Sequence, residues 1–333
     1  MSDQNPISAE IDFNAEGKQL GYLRLPYSVH RSAYGWLPMP IAQVRRGTGP
    51  KVLVMAGNHG DEYEGQVLIS RLIQEVEPDM VSGQLILLPM ANFPAAEAGL
   101  RTSPLDQGNL NRSFPGQPQG TPTQIIAHYI ETVLLAGADY LLDLHSGGSS
   151  LLYLPSALAS DGETPAEKER VRELLDAFGL PNALIHEWNE PGYFSTSAVR
   201  RQGGIGITTE LGGAGMITPE ILALAEHGVR HLLGNMGVLR GPLVPEAPPG
   251  EVRLLEVDNA THYLYASEPG LFEPLVELGE RVAAGQPGAR IHFPETPGKA
   301  PVTEHFEGSG IVVCKRVPAK SRRGDCLFHL ADG

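Results

Sequence analysis

Lysine is scarce in this chain. It supplies six of the 25 basic residues, which face 39 acids, for a formal net charge of −14. That balance argues against nucleic-acid binding and against docking on anionic membrane surfaces. An acid-rich, lysine-poor surface suits a salty cytoplasm, although a GC-rich genome gives the same lysine scarcity. Cysteine is nearly absent. Cys314 and Cys326 lie in no CxxC and no Cys/His cluster, so two free thiols in a reducing compartment are expected. No apolar run approaches the ~20 residues of a membrane span. The opening MSDQNPISAE carries neither a basic nor an apolar signal region. These absences together point to a soluble, cytoplasmic protein.

What is present is a chain of 333 residues with 41% hydrophobic content, long enough for two domains with a sizeable core. From residue 40 to 240, apolar strand patterns alternate with helical ones, which predicts an α/β sheet layered by helices. Residues 41–46 and 51–56 read as a hairpin around a Gly-Thr-Gly-Pro turn. EGQVLISRLIQEVEP reads as a helix with Val67, Leu68, Leu72, Ile73 and Val76 on one face. QLILLP (84–89), DYLLDLHSGG, NALIHE and GIGITTEL read as strands. TPTQIIAHYIETVLLAG reads as a helix ending at Gly137. TPAEKERVRELLDAFG carries an N-cap at Thr164, Pro165 at the first helical position, a capping box with Glu167 and a stop at Gly179. A further helix opens at Thr218 and Pro219. GPLVPEAPPGE (241–251) holds four prolines and predicts a boundary. The expected division is a catalytic domain over 1–245, with an N-terminal extension over 1–40, and a small all-β barrel or sandwich over 250–333.

Chemistry concentrates at predicted strand ends. VLVMAGNHGDEYEG (52–65) places His59 and Glu62 three residues apart after an apolar strand. His145 closes another strand. Two histidines and one glutamate form a catalytic type of zinc shell, with a fourth position left for water. Strand ends are also where open α/β sheets bind ligands. Read alone, a histidine such as His145 is more often a capping or core residue. Asp143 either orients a metal ligand or caps the following turn. Glu210, in GITTELGG, is the candidate general base or an acid that begins a turn, and Gly212–Gly213 lets backbone or substrate come close. In the loop RTSPLDQGNLNRSFPG, Asn111 and Arg112 suit a carboxylate, and Arg101 suits a developing oxyanion. The alternative for this loop is a solvated surface with ordinary salt bridges.

Together, GNHGDEYEG, NLNRSFPG, DLHSGG and TTELGG resemble, in order, the succinylglutamate desuccinylase/aspartoacylase family. The resemblance covers roughly residues 40–333. It implies a zinc-carboxypeptidase-like mixed sheet layered by helices, with a C-terminal β domain. PLVELGERVAAGQPG resembles a lipoyl-type barrel sequence. The resemblance also implies one zinc per chain on His59, Glu62 and His145. Glu210 matches the family's general base, and Asn111 and Arg112 match its carboxylate-holding pair. Arg101 matches its oxyanion arginine, across a loop longer than that of aspartoacylase.

The expectation is therefore a zinc-dependent amidohydrolase that deacylates a small N-acyl amino acid. Within the family, the chain is most similar to the branch that deacetylates N-acetyl-2,4-diaminobutyrate in ectoine breakdown. A cationic side chain also fits the acids near the motifs, Asp61, Glu64 and Asp106, if these wall the pocket. Arg200 and Arg201 are the bases that could instead pair a second substrate carboxylate, as N-acetylaspartate or N-succinylglutamate requires. A carboxypeptidase would share the metal chemistry but needs an open groove. A non-enzymatic lipoyl-like carrier would rest on Lys299 in ETPGKAPV and leave the 59–210 constellation unexplained. The oligomeric state stays open, a homo-oligomer included.

Overall fold

The computed structural model describes residues 5–186, 192–247, 250–257 and 260–333. The remainder of the expected extension (1–4), the last residue of NALIHE (187), two of the boundary prolines (248–249) and residues 258–259 lie outside the described residues.

The larger part of the chain is built on one ten-stranded mixed sheet. In chain order its strands are β1 (Ser8–Ala9), β2 (Gly17–Pro26), β3 (Trp36–Arg46), β4 (Lys51–Ala56), β5 (Gly83–Leu88) and β6 (Tyr140–Leu144). A short strand, β7 (Leu151–Tyr153), belongs elsewhere. The sheet resumes with β8 (Ser156–Ser160), β9 (Asn182–His186), β10 (Ile205–Glu210) and β11 (Arg253–Glu256). The spatial order is β1-β2-β3-β5-β4-β6-β10-β8-β9-β11. Strands β5, β4, β6 and β10 run parallel at its centre.

The centre is parallel because its strands are apolar on both faces. Val52, Val54 and Ala56 of β4 join one core, under helices α1 (Glu64–Glu75), α4 (Pro165–Phe178) and α6 (Pro219–Asn235). Leu53 and Met55 join the opposite core, under α3 (Pro122–Tyr129) and α5 (Ser195–Arg201). The buried face of α1 is formed by Leu68, Ile69 and Leu72, with Val67 and Ile73 only half-buried. α4 has the expected caps: Thr164 accepts from Glu167 N at 3.2 Å, and Gly179 is left-handed at φ 64°. The helix beginning at Pro122 stops at Tyr129 and continues as a wider π turn over Ile130–Leu134, short of Gly137.

The expected 41–56 hairpin does not form. β5 lies between β3 and β4, antiparallel to the first and parallel to the second. The Gly47–Pro50 connection passes over the start of β5, where Gln84 N donates to Pro50 O at 2.9 Å. A side chain at Gly49 would meet the Ser82 carbonyl carbon at 2.7 Å. Gly49 makes room for β5 instead of closing a tight turn, while Gly47 turns left-handed (φ 61°) in open space. The N-terminal extension is likewise part of the sheet, since β2 pairs with β3 along ten residues.

Beyond residue 257 the chain forms β12 (Tyr263–Tyr265), β13 (Gly270–Pro274), β14 (Arg281–Val282) and β15 (Pro287–His292). It ends with β16 (Val302–His305), β17 (Gly310–Arg316), β18 (Lys320–Ser321) and β19 (Cys326–Ala331). These make two antiparallel sheets, β12-β19-β17-β14 and β16-β15-β13-β18, around a core that includes Phe272, Phe306 and Phe328. The proline-rich segment does not cleanly divide the two halves. β11, beyond it, is the edge strand of the large sheet, and β7, well before it, pairs with β17 of the small one. Leu184, Leu255 and Val257 pack with Ile311, Val313 and Ala331 in an apolar seam between them. Both cysteines are free. No helix among the described residues is long and apolar enough to cross a membrane.

The start of α1 presses against the strand ends that carry the site. A Cβ at Gly65 would lie 2.5 Å from Leu144 Cβ and 2.9 Å from Ala56 Cβ. Gly65→Ala should therefore cost ~1–3 kcal/mol through overpacking. The loss is read as a lower denaturant midpoint, and an unchanged midpoint would show that α1 can lift freely.

Candidate active site

Three adjacent parallel strands, β4, β6 and β10, end on the same side of the sheet. β4 ends at Ala56. Gly57 then turns left-handed (φ 67°), with its missing Cβ 3.0 Å from Met90 Cα, and the chain coils through His59 and Glu62 into α1. His145 follows β6 directly, and Glu210 is the last residue of β10. The ends of β6 and β10 are tied together. His145 N donates to Thr209 Oγ1 at 2.9 Å, and Leu211 N donates to His145 O at 3.0 Å. Gly212 and Gly213 take φ of 106° and 129°. The close approach they permit is by backbone, since a Cβ on Gly213 would fall 2.7 Å from Gly147 Cα.

His59, Glu62 and His145 are all buried, and their donor atoms lie within 4.8 Å of one another. Glu62 bridges the two imidazoles: Oε1 is 2.7 Å from His59 Nδ1, and Oε2 is 2.8 Å from His145 Nδ1. The outer nitrogens are already engaged. His145 Nε2 lies 3.0 Å from Asp143 Oδ2, and His59 Nε2 lies 3.1 Å from Asn109 Oδ1. Both Nδ1 atoms therefore face inward with the carboxylate, as a metal-binding set held by outer partners requires. Asp143 orients His145 and does not cap a turn. It is itself held by Asn58 Nδ2 at 2.9 Å and Ser195 Oγ at 2.6 Å.

The charges are strongly coupled. Burial opposes ionisation of Glu62, but the His59 and His145 charges hold its carboxyl well below the usual range. Burial likewise opposes protonation of His145, yet Asp143 and Glu62 push its pKa well above that of a free imidazole. A buried carboxylate between two imidazoles is what a divalent cation would replace protons in. Glu210 behaves oppositely: burial, then the Glu62 charge, pushes its carboxyl up to about 8. The residue keeps some surface in the cavity, while its Oε2 is fully shielded and has no partner among the described residues.

The loop 99–121 closes the site from one side. Arg101 Nη1 reaches 3.5 Å from Glu62 Oε1 and 3.4 Å from His59 Nδ1. Asn111 uses its Oδ1 to accept from Ser195 N at 3.1 Å, which leaves its amide N–H groups for a ligand. The Arg112 guanidinium lies over the Phe194 ring at 4.5 Å and the Tyr193 ring at 5.6 Å. Burial and the neighbouring Arg101 charge lower its pKa, so this corner has an excess of positive charge that an anion would relieve.

His59, Glu62, Arg101, Asn111, Arg112, His145 and Glu210 all line one cavity of about 740 Å³. The acids near the motifs do not. Asp61 accepts from Ser149 N and Oγ at 2.8 Å, and Asp106 accepts from Thr123 N at the start of α3 at 2.8 Å. Glu64 is buried against Ser146 and Gly213. Short polar side chains in such turns satisfy backbone N–H groups first. Arg200 and Arg201 are also absent from the lining, and Arg201 is paired with Glu131 at 2.7 Å. Residues without any motif complete the wall: Tyr153 from β7, and Val257, Tyr263 and His329 beside or within the C-terminal sandwich. Of the further residues that hold the imidazoles from behind, Asn58 (through Asp143) and Asn109 had a sequence signal, their places in GNHGDEYEG and NLNRSFPG.

Residues 48–236 match the model of the succinylglutamate desuccinylase/aspartoacylase catalytic domain. The chain is 42% identical over 330 residues to the N-alpha-acetyl-L-2,4-diaminobutyric acid deacetylase of Halomonas elongata, covering 98% of this chain and 95% of that protein. Its fold is similar to the product-bound structure of the ectoine utilization protein EutE (DoeB) from Ruegeria pomeroyi. That match has a TM-score of 0.94 and 36% identity, over 99% of this chain and 100% of the other. A succinylglutamate desuccinylase/aspartoacylase from Rhodobacter sphaeroides matches with a TM-score of 0.91 and 36% identity, over 98% of both chains. With its catalytic-domain match, its full-length relatives and its buried His–Glu–His group, this chain belongs to the succinylglutamate desuccinylase/aspartoacylase family of deacylases.

Proposed function

We propose that this chain is a zinc-dependent deacetylase that hydrolyses N-acetyl-L-2,4-diaminobutyrate to 2,4-diaminobutyrate and acetate, a step of ectoine breakdown. The observation that carries the reading is the pairing of the His59–Glu62–His145 group with Glu210 in one cavity, in a chain with a full-length deacetylase relative. Two imidazole nitrogens and a carboxylate, with no cysteine in the group, suit zinc in an open catalytic site. Zinc held there would acidify its water towards pKa ~7 and polarise the acyl oxygen.

The chain's own residues do the rest. Glu210 accepts a proton from the attacking water and returns it to the amide nitrogen as the C–N bond breaks. A carboxyl whose pKa is raised towards neutrality suits both halves of that transfer. Arg101 faces the charge that develops on the acyl oxygen. Asn111 and Arg112 hold the substrate α-carboxylate through amide and guanidinium donors. Tyr263 and His329 line the cavity from the C-terminal side, where a peptide groove would have to run open, and this supports a small substrate over peptide digestion. Aspartoacylase or succinylglutamate desuccinylase activity is the second reading. It demands a further base for the second carboxylate, and Arg101 and Arg112 are the only lysine or arginine side chains lining the cavity among the described residues.

Elemental analysis should give one zinc per chain, and replacing His59 and His145 together by Ala should abolish it. Stoichiometric zinc in that double variant would place the metal elsewhere. Glu210→Gln should keep its zinc but lose at least ~10²-fold in kcat; near-normal turnover would mean that another group moves the proton. In a comparison of kcat/KM, N-acetyl-2,4-diaminobutyrate should exceed N-acetylaspartate and N-succinylglutamate by at least ~10-fold, because an unpaired second carboxylate costs several kcal/mol. The reverse order would refute the substrate while leaving the metal chemistry intact.

A further inference from the structure

One residue links the His–Glu–His group to the Asn111–Arg112 pair. Ser195 is the first residue of α5 and is fully buried. The helix behind it is anchored in the core by Ala198 and Val199. A serine near a helix start commonly sits at the cap, where its oxygen accepts from a backbone N–H. Here the cap position is Phe194, extended at φ −83° and ψ 160°, and no side chain caps the helix. The Ser195 hydroxyl serves another partner instead: it donates to Asp143 Oδ2 at 2.6 Å. The same oxygen lies 3.0 Å from His145 Nε2. The first N–H of a helix has no partner within the helix, and that of Ser195 donates to Asn111 Oδ1 at 3.1 Å. A backbone N–H meets only an acceptor, so this bond decides which end of the Asn111 amide faces α5. The nitrogen end, with both its hydrogens, is left for the cavity that Asn111 lines. Phe194, next in the chain, lies against the Arg112 guanidinium at 4.5 Å.

We propose that Ser195 is a positioning residue that aligns the two working ends of the cavity. Its hydroxyl fixes Asp143, and through it the His145 imidazole, while its N–H fixes the Asn111 amide for the substrate α-carboxylate. The proposal rests on the metal and substrate reading given above. The acyl carbon and the α-carboxylate of such a substrate are only a few bonds apart. A shift of the carboxylate donors relative to the His–Glu–His group would therefore misplace the reacting carbon. The two bonds of Ser195 start from its own backbone nitrogen and its own short side chain, so they leave little slack between those ends. Removing the hydroxyl loosens only the imidazole end. Removing the N–H lets the Asn111 amide turn over and present its oxygen to the carboxylate, which repels it.

Two substitutions separate the two bonds. Ser195→Ala loses the hydroxyl and keeps the N–H. Ser195→Pro loses both. Proline suits this place, because the first helical position needs no N–H for the helix itself and the extended Phe194 suits the residue before a proline. Zinc affinity, measured by chelator competition, reads the imidazole end. It should fall about three- to tenfold in both variants, at or below the ~10–100-fold that follows loss of a ligand's direct partner. The ratio of kcat/KM for N-acetyl-2,4-diaminobutyrate over N-acetyl-1,3-diaminopropane, which lacks the carboxylate, reads the other end. That ratio should stay within about threefold of wild type in the Ala variant and fall by about tenfold or more in the Pro variant, as expected for a lost hydrogen bond to a charged group. A role in stability alone would lower Tm and move neither readout. An Ala variant with wild-type zinc affinity overturns the proposal, and so does a folded Pro variant with the wild-type ratio. If the Pro variant does not fold, the Tm values of Asn111→Asp and Asn111→Leu take its place. Asp still accepts from the Ser195 N–H and should keep the wild-type Tm, whereas Leu leaves that N–H unpaired and should lower it; equal values overturn the anchoring of Asn111. Wild-type enzyme that does not deacetylate N-acetyl-2,4-diaminobutyrate removes the substrate reading itself, and the proposal with it.

Discussion

The site depends on keeping one carboxylate, Glu62, charged in a buried place. Two imidazoles must stand on either side of it, since a buried charge without partners is not tolerated. They come from two adjacent strands, and only parallel neighbours bring both strand ends to the same edge. The remaining features follow from that demand. Gly57 and Gly65 let the chain turn and let α1 sit directly on β4 and β6. Asp143 and Asn109 hold the imidazoles from behind, and Asn58 and Ser195 hold Asp143 in turn. Burial, and after it the same charge that needs two imidazoles, raises the carboxyl of Glu210 at the end of β10. A single buried anion therefore organises ligands, orienting groups and the adjacent acid.

The buried His59–Glu62–His145 group was legible in the sequence because each member follows an apolar strand within a few residues. Local pattern and local structure agree there, as do the caps of α4. Strand order was not legible. The hairpin reading of 41–56 followed from a turn-like Gly-Thr-Gly-Pro, but glycine marks close backbone approach as readily as a tight turn, and only the partner strand distinguishes them. The acids failed for a related reason. Asp61 and Asp106 stand beside the motifs in sequence, yet each is committed to a neighbouring backbone N–H and hydroxyl. Tyr263 and His329 lie far along the chain in ordinary β patterns, so nothing in their local sequence separates them from sandwich residues.

The His–Glu–His group and part of the cavity wall come from different parts of the molecule. His59, Glu62, His145 and Glu210 sit at or just beyond the ends of parallel strands, where a small displacement would be most damaging. Part of the cavity wall is shared with the C-terminal sandwich, which is held against the large sheet by the seam of Leu184, Leu255, Ile311 and Val313. Changes in that wall would leave His59, Glu62 and His145 in place.

The pairing of β7 with β17 has a consequence for how this molecule could be altered by recombination. β7 lies between β6 and β8 in the chain, inside the catalytic half, yet its backbone hydrogen bonds are completed by the other half. A gene cut at the proline-rich segment would leave β7 as a bare strand edge and would also strand β11 on the wrong side of the join. Bare edges invite association with other chains. The two halves are therefore not interchangeable modules. Swapping the β sandwich between relatives has to preserve the register at Leu151–Tyr153, and inheritance of the two halves as one block is the arrangement that keeps that edge covered.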